Sequence, residues 1–185
     1  MTFTIVPERP DDAPLITPLL DRTFGFDRTR KTVYRLREGV EPVAGLSFSA
    51  VAGDGGFLGS IRYWPIAIAG TPALLLGPLA VEPALQGQGI GKALVRHSLA
   101  AAEKAGHRIC VVVGDPNYYR PFGFVSAPGQ GLSLPGPVEP ERFQVKALTP
   151  GALEEVHGVI ARWTGEVMEA SAKPSRRRRV RRSVA

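Results

Sequence analysis

The clearest change of hydrophobic pattern lies in the middle of the chain. Residues 73–81 form a short, continuous apolar run, which is typical of a buried strand. Residues 86–91 are polar and rich in glycine, and from Lys92 to Ala105 apolar residues recur at helical spacing. The helix face that we expect in the core comprises Ile90, Leu94, Val95, Leu99 and Ala102, and Gly106 suits the position after the last turn. The pattern predicts a strand, a glycine turn and an amphipathic helix, in that order.

Weaker patterns of the same kinds predict the remaining elements. In order, they are a strand at 3–6, a helix with Leu15, Ile16, Leu19 and Leu20 after a cap at Asp11 or Asp12, a more polar helix at 28–37, a hairpin of 46–52 and 57–69, strands at 109–113 and 142–148, and a loop at 127–140. A short apolar stretch with Val156, Val159, Ile160 and Trp163 follows the strand at 142–148, the last one predicted. No internal repeat is evident.

The glycine turn has the chemistry of an anion site. Glycine has no Cβ, so a ligand can approach the backbone closely, and the first N–H groups of a helix have no partner within it. These donors and the helix dipole favour phosphate. Two nucleotide motifs nevertheless fail, because Lys92 replaces the last glycine of G-x-G-x-x-G and Ala93 replaces the Ser or Thr of the Walker motif.

Two segments together resemble a known family. Gln86-x-x-Gly89-x-Gly91 resembles the pyrophosphate loop, Q/R-x-x-G-x-G/A, of the GNAT superfamily of N-acetyltransferases. After the β-branched run at 109–113, residues 115–124 (Asp-Pro-Asn-Tyr-Tyr-Arg-Pro-Phe-Gly-Phe) are similar to the F/Y-Y-x-x-x-G-F element of the same family. The resemblance covers roughly residues 3–148, and residues 114–119 are similar to the G-D-P-x-Y-Y segment of a subgroup of small bacterial GNAT proteins. It implies an α+β fold of the GNAT type, with a mixed central sheet of six to seven strands that is flanked by helices and splayed at its two central strands.

The resemblance also implies a cosubstrate and the residues that bind it. Acetyl-CoA is expected to bind, with its pantetheine arm along one strand edge and its pyrophosphate on the backbone of the glycine turn. The expected binding residues are Leu79, Ala80, Val81, Gln86, Gly87, Gln88, Gly89, Ile90, Gly91 and Lys92. Pro78 is expected to form a bulge that helps to splay the strands, because proline cannot donate to a ladder. No metal is expected.

By the same resemblance, Tyr119 is the acid that protonates the departing thiolate, and Tyr118 occupies the preceding aromatic position. Many members have an Asn about seven residues before this tyrosine, where this chain has Val112. Asn117 either replaces that Asn or only completes a helix turn that Asp115 caps and Pro116 begins. The general base is not assigned. Glu38, Glu41 and a water relay all remain open, whereas Glu82 is expected in a turn and His97 and His107 on the surface.

Composition and length fit one enzyme domain of 1–165 followed by a basic tail of 166–185. The single cysteine, Cys110, lies in a predicted buried strand and is expected to pack as a small apolar residue. No secretory signal or membrane span is evident, so we expect a cytoplasmic protein, either a monomer or a homodimer.

The charge is concentrated at the C-terminal end. Seven of the 23 basic residues are Lys173, Arg176, Arg177, Arg178, Arg179, Arg181 and Arg182, and the other 16 are balanced by 17 acidic residues. We therefore expect a nearly neutral domain and a disordered tail. Two alternatives to a free-standing enzyme follow, namely a non-catalytic acetyl-CoA-binding protein and a GNAT protein that the tail directs to nucleic acid or ribosomes. The acceptor can be a small-molecule amine or a protein amine.

Overall fold

A computed structural model describes residues 2–163 and 165. Within this part of the chain the helices are Ala13–Phe24 (α1), Thr32–Arg35 (α2), Ile90–Lys104 (α3) and Pro116–Tyr119 (α4). The strands are Phe3–Pro7 (β1), Phe48–Ala52 (β2), Phe57–Ile68 (β3), Thr71–Val81 (β4), Ile109–Val113 (β5), Val125–Ser126 (β6), Leu132–Ser133 (β7), Phe143–Ala147 (β8) and Gly158–Arg162 (β9). The predicted domain boundary at 165 and the tail at 166–185 lie at the edge of, or outside, the described residues.

The strands form one mixed sheet with the principal order β1-β2-β3-β4-β5-β8-β6. All neighbours on this path are antiparallel except β4 and β5, which run parallel. These seven strands, with helices packed against them, confirm the predicted α+β fold with a mixed sheet. Two further strands, β7 and β9, were not predicted. β9 pairs with β3, and β7 pairs with β9.

The two central strands separate partway along their length. β4 and β5 are paired at Leu74 with Cys110 and at Leu75 with Val111, and the ladder stops there. On its other side, β4 keeps its pairing to β3, with a shift of register that leaves Gly77 and Pro78 opposite one residue of β3. The predicted bulge at Pro78 and the predicted splay are both confirmed, and the splay leaves an opening beside the C-terminal half of β4.

The predicted face of α3 forms part of the main core. Ile90, Leu94, Val95, Leu99 and Ala102 are all buried there, each against apolar side chains of the sheet. The helix begins two residues earlier than the periodicity predicts and ends one residue earlier. Full burial of one large aliphatic side chain stabilises a fold by about 1.5–3 kcal/mol, so this face anchors the helix firmly. The glycine turn that precedes α3 is thereby held at the end of β4.

The predicted helix at 28–37 is wrong in its extent. Residues 26–30 form a 3₁₀ turn, Lys31 is extended, and α2 contains four residues. Tertiary contacts explain the break: Arg28 forms an ion pair with Asp21, and the Thr32 hydroxyl donates to the carbonyl of Pro137 at 2.8 Å. Residues of this irregular segment line the opening beside β4.

Three smaller expectations are also corrected. Leu15 is exposed, although the other three apolar residues of its predicted face are buried. Asp12 occupies the N-cap of α1, but its carboxylate accepts hydrogen bonds from Arg9 rather than from the helix. His107, expected on the surface, is buried, and desolvation lowers the pKa of its imidazole. His107 lies between α3 and β5 with its side chain buried in the domain. The helical spacing of α3 does not predict this burial.

Candidate active site

The glycine turn places open backbone at the start of α3. Gly87 and Gly89 have φ angles of 82° and 85°, and Gly89 is the N-cap of the helix. A Cβ built on either residue meets no atom within 4 Å, so the space beside the backbone is free. Such positive φ angles are strained for other residues, which explains both glycines locally. The turn therefore leaves open space beside the backbone at the start of α3.

The other residues of the turn have different surroundings. The Gln86 amide donates to the carbonyl of Val81 at 3.4 Å, which ties the turn to the end of β4. A Cβ at Gly91 would lie 2.6 Å from the Tyr118 hydroxyl, so a larger residue there would require the Tyr118 side chain to shift. Ile90 has its side chain in the core and can contribute only its backbone to a ligand, whereas Gln88 and Lys92 are exposed.

The C-terminal half of β4 has one free edge among the described residues. Leu79, Ala80 and Val81 pair with β3 on one side, while the ladder to β5 has already ended at Leu75. The side chains of Ala80 and Val81 are buried in separate apolar clusters, so their backbone alone is available. An extended ligand can pair with this edge like an added strand. The edge leads directly into the glycine turn.

A cavity of about 490 Å³ occupies the opening between the splayed strands. Its wall is formed by parts of the segment 24–37, by residues 76–79 of β4, by residues 112–115 with Tyr119, and by parts of the loop 134–142. This volume lies in the range of about 300–1,000 Å³ that is usual for small-molecule sites. The free edge of β4, which includes Leu79, thus borders a cavity that is large enough for a thioester and a small acceptor.

Tyr119 lies on the wall of this cavity, and Tyr118 does not. The Tyr119 ring packs over Gly114, where a Cβ would lie 2.3 Å from it, and edge-on against Phe124 at 5.6 Å. Its hydroxyl has no hydrogen-bond partner among the residues that the structure describes. Burial raises the pKa of Tyr119 above its ordinary value of about 10, so the hydroxyl is protonated at neutral pH. The Tyr119 hydroxyl is therefore protonated, borders the cavity and has no described hydrogen-bond partner.

The short helix α4 fixes these two tyrosines on different surfaces. Asp115 is its N-cap, and the carboxylate accepts a hydrogen bond from the Asn117 backbone N–H at 2.8 Å. Pro116 occupies the first helical position, as predicted. The Asn117 side chain is exposed and does not line the cavity, whereas Val112 does. These positions favour the capping interpretation of Asp115 and Asn117 over a contact with pantetheine.

Replacing Asp115 by Ala should lower the free energy of unfolding by about 1 kcal/mol, because the N–H of Asn117 loses its acceptor. Chemical denaturation of the purified variant measures this loss. Asp115→Asn is the matched control, since an amide oxygen can still cap the helix, and it should restore most of the stability. If Asp115→Asn is stable but loses turnover, the carboxylate has a chemical role beyond capping.

The candidate bases from the sequence do not converge on the cavity. Glu38 and Glu41 are exposed, and neither lines it. Glu82 forms an ion pair with Arg22 at 2.6 Å, which agrees with its expected structural position. The acidic residues on the wall are Asp115 and Glu139, and Glu139 lies in a region that the sequence predicted as loop.

Three residues of the site were given no role from the sequence. Gly114 supports the Tyr119 ring, and its carbonyl accepts a hydrogen bond from the buried Gln144 at 3.2 Å. Its place directly before Asp115 is the one available hint. Arg37 and Glu139 reach the cavity from segments that are distant in sequence, and local pattern gives no indication of that.

Membrane and metal features were sought in the same residues. Within 2–163 and 165, no helix has the length and apolar content needed to cross a bilayer. The same residues contain no group of three or more His, Cys, Asp or Glu side chains arranged to hold a metal ion. Cys110 is buried, and desolvation raises the pKa of its thiol, as befits a packing residue.

Comparisons with known proteins identify close relatives of this arrangement. A sequence model described as an acetyltransferase (GNAT) domain matches residues 45–126. The uncharacterised N-acetyltransferase YhbS of Escherichia coli is 34% identical over 155 residues, which are 83% of this chain and 92% of that protein. The crystal structure of E. coli YhbS with CoA superposes with a TM-score of 0.75 at 33% identity, over 87% of this chain and 89% of that one. A GNAT acetyltransferase from Brucella melitensis with acetyl-CoA has a TM-score of 0.64 at 33% identity, over 88% and 97% of the two chains.

Proposed function

Because the chain belongs to the GNAT superfamily and is an acetyl-CoA-dependent N-acetyltransferase, we propose that it moves the acetyl group directly to a primary amine, with Tyr119 as the acid. The observation that carries this proposal is one continuous surface. The free edge of β4 leads into the glycine turn at one end and borders the cavity with Tyr119 at the other.

The pyrophosphate of acetyl-CoA binds at the turn of residues 86–92, to the backbone N–H groups of residues 87 and 89–92, because those of Gln86 and Gln88 already donate to the carbonyls of Pro83 and Leu85 at 3.4 Å. These groups lie at the positive end of the α3 dipole, and the free space at Gly87 and Gly89 lets an anion come close. The pantetheine arm pairs with the edge at Leu79–Val81, as an added strand does. This arrangement directs the thioester towards the opening between β4 and β5.

The acceptor enters from the side formed by segment 24–37 and the loop 134–142. Its neutral amine attacks the thioester carbonyl, a C–N bond forms, and the C–S bond breaks. The amine proton passes to water in the cavity, with the carboxylates of Asp115 and Glu139 on the wall available to relay it. The thiolate receives a proton from the Tyr119 hydroxyl, and the tyrosine is reprotonated from solvent.

A screen of primary amines with the purified protein and acetyl-CoA tests this proposal. Free thiol release and the mass of the acetylated product are measured together, so that simple hydrolysis of acetyl-CoA is recognised. We expect acetylated product from at least one class of amine, with one thiol released for each product. Tight binding of acetyl-CoA without product from any amine would favour the non-catalytic alternative.

A further inference from the structure

Arg37 brings a positive charge to the bulge of β4. The residue follows α2 and lines the cavity together with Gly77. Its guanidinium stacks on the Tyr34 ring at 4.6 Å, and Nη2 lies 3.4 Å from the point where a Cβ on Gly77 would be. The Trp64 ring is 5.9 Å away on another side. The guanidinium is therefore held between two aromatic side chains and the strand that borders the thioester site.

This charge has no anionic partner among the described residues. Nε and Nη1 of Arg37 are buried and lack a hydrogen-bond acceptor, and so does the neighbouring indole Nε1 of Trp64. No described carboxylate forms an ion pair with Arg37. Burial lowers the pKa of Arg37 to about 10, so the side chain remains charged at neutral pH. Arg37 is half-buried, and two nitrogens of its charged guanidinium lack an acceptor, which is unfavourable unless a ligand offsets the charge.

The surrounding wall is also mainly cationic. The basic residues on it are Arg28, Arg30, Lys31, Arg35, Arg37 and Arg142, against the two acids Asp115 and Glu139. Arg28 pairs with Asp21, Arg30 lies 3.8 Å from Asp27, and Arg142 lies 3.9 Å from Glu139. Lys31 and Arg35 are exposed and have no described ion pair. The field in the cavity thus attracts an anion, and Arg37 is the basic residue that lies beside Gly77 of β4.

We propose that the acceptor is a small amine that carries a carboxylate, and that Arg37 binds this carboxylate at the β4 bulge. The inference rests on the proposed acetyltransferase function. Of the Arg37 guanidinium nitrogens, Nη2 is the one that is not fully buried, so it is the donor that a carboxylate in the cavity can reach, and the bond is charge-assisted. A cavity of about 490 Å³ has room for an amino-carboxylate beside the thioester rather than for a folded protein substrate.

Matched acceptor pairs test the proposal. Each amine of a panel is assayed as its carboxylate and as its carboxamide, with acetyl-CoA saturating. The carboxylate form should have a kcat/KM about 10- to 100-fold higher, the factor for losing one charged hydrogen-bond partner. Arg37→Met should reduce this preference to near one, mainly by raising KM for the carboxylate. Equal loss of kcat for both forms would instead assign Arg37 to the reacting carbonyl and overturn the proposal.

Arg35→Met is the charge-matched control. It removes the same charge from an exposed position on the same wall, so the preference for the carboxylate should persist. A loss as large as that of Arg37→Met would show a general field rather than a contact, and would overturn the proposal. If the unaltered protein acetylates carboxamides as well as carboxylates, this inference fails while the acetyltransferase function stands.

A readout on the unaltered protein does not depend on turnover or on variant stability. The ¹⁵N–¹H signal of Arg37 Nε, assigned by its loss in Arg37→Lys, is followed in the CoA complex. Addition of an amino-carboxylate should shift this signal, and the matching carboxamide should not. A signal that no carboxylate in the panel shifts overturns the inference, whereas failure of the protein to bind acetyl-CoA or to release thiol overturns the proposed function.

Discussion

Replacing Tyr119 by Phe should lower turnover by about 10²–10⁴-fold while acetyl-CoA affinity changes little, the range usual for losing a general acid. The phenyl ring keeps the packing over Gly114 and against Phe124, so the fold around α4 is preserved. The substitution removes only the hydroxyl, which has no other described partner. Single-turnover kinetics with saturating acetyl-CoA measure the chemical step, and equilibrium titration measures affinity.

Tyr118→Phe is the control that the chain itself supplies. The two tyrosine rings lie 5.0 Å apart, but the Tyr118 hydroxyl is directed at Gly91 and that side chain does not line the cavity. Its loss should leave turnover close to that of the unaltered protein. Should Tyr118→Phe abolish turnover while Tyr119→Phe spares it, the assignment of the acid is off by one residue. A weaker acetyl-CoA affinity with turnover kept in Tyr119→Phe would make the hydroxyl a ligand of the pantetheine arm.

The pH dependence follows from the direction of the pKa shift. A general acid acts in its protonated form, and burial raises the pKa of Tyr119 above about 10. Activity that depends on this proton should therefore persist up to pH 10 and decline only above it.

Local patterns predicted the parts of the site that are local in the chain. The strand at 73–81, the turn at 86–91 and the buried face of α3 follow from periodicity and from glycine positions within about 30 residues. The bulge at Pro78 follows from proline's missing donor. In each case residues that are close in sequence determine the conformation, so the element can be predicted without knowledge of the tertiary contacts.

The missed features depend on contacts between distant segments. The break at Lys31 reflects the bond from Thr32 to Pro137, 105 residues away. The strand β9 pairs with the edge of β3 at Ile66 and Ile68. The apolar stretch near residue 160 does not by itself predict this pairing. The position of Arg37 likewise depends on contacts with distant residues, because it lies beside Gly77 of the bulge and near the Trp64 ring of β3. The contacts that we propose for the acceptor are of this kind, and local sequence patterns do not predict them.

Replacing Gly89 by Val should weaken acetyl-CoA binding by at least about 10-fold, the factor for one hydrogen bond to a charged group. The backbone at Gly89 has a φ of 85° beside empty space, so a branched side chain both strains the turn and fills the room for the pyrophosphate. Isothermal titration with acetyl-CoA measures the loss.

Gly70→Val separates strain from ligand contact. Gly70 has a φ of 88°, also beside empty space, but it precedes β4, whereas the glycine turn follows that strand. This control should lose similar stability and keep its affinity. A truncated acetyl-pantetheine without the pyrophosphate provides the second arm, since it should bind the unaltered protein and Gly89→Val equally weakly. If Gly89→Val folds and still binds acetyl-CoA as tightly as the unaltered protein, the pyrophosphate does not lie on this turn. The cosubstrate would then bind beside β4 without the N–H donors at the start of α3. The proposed direction of the pantetheine arm, from this turn along β4 to the cavity, would then be wrong.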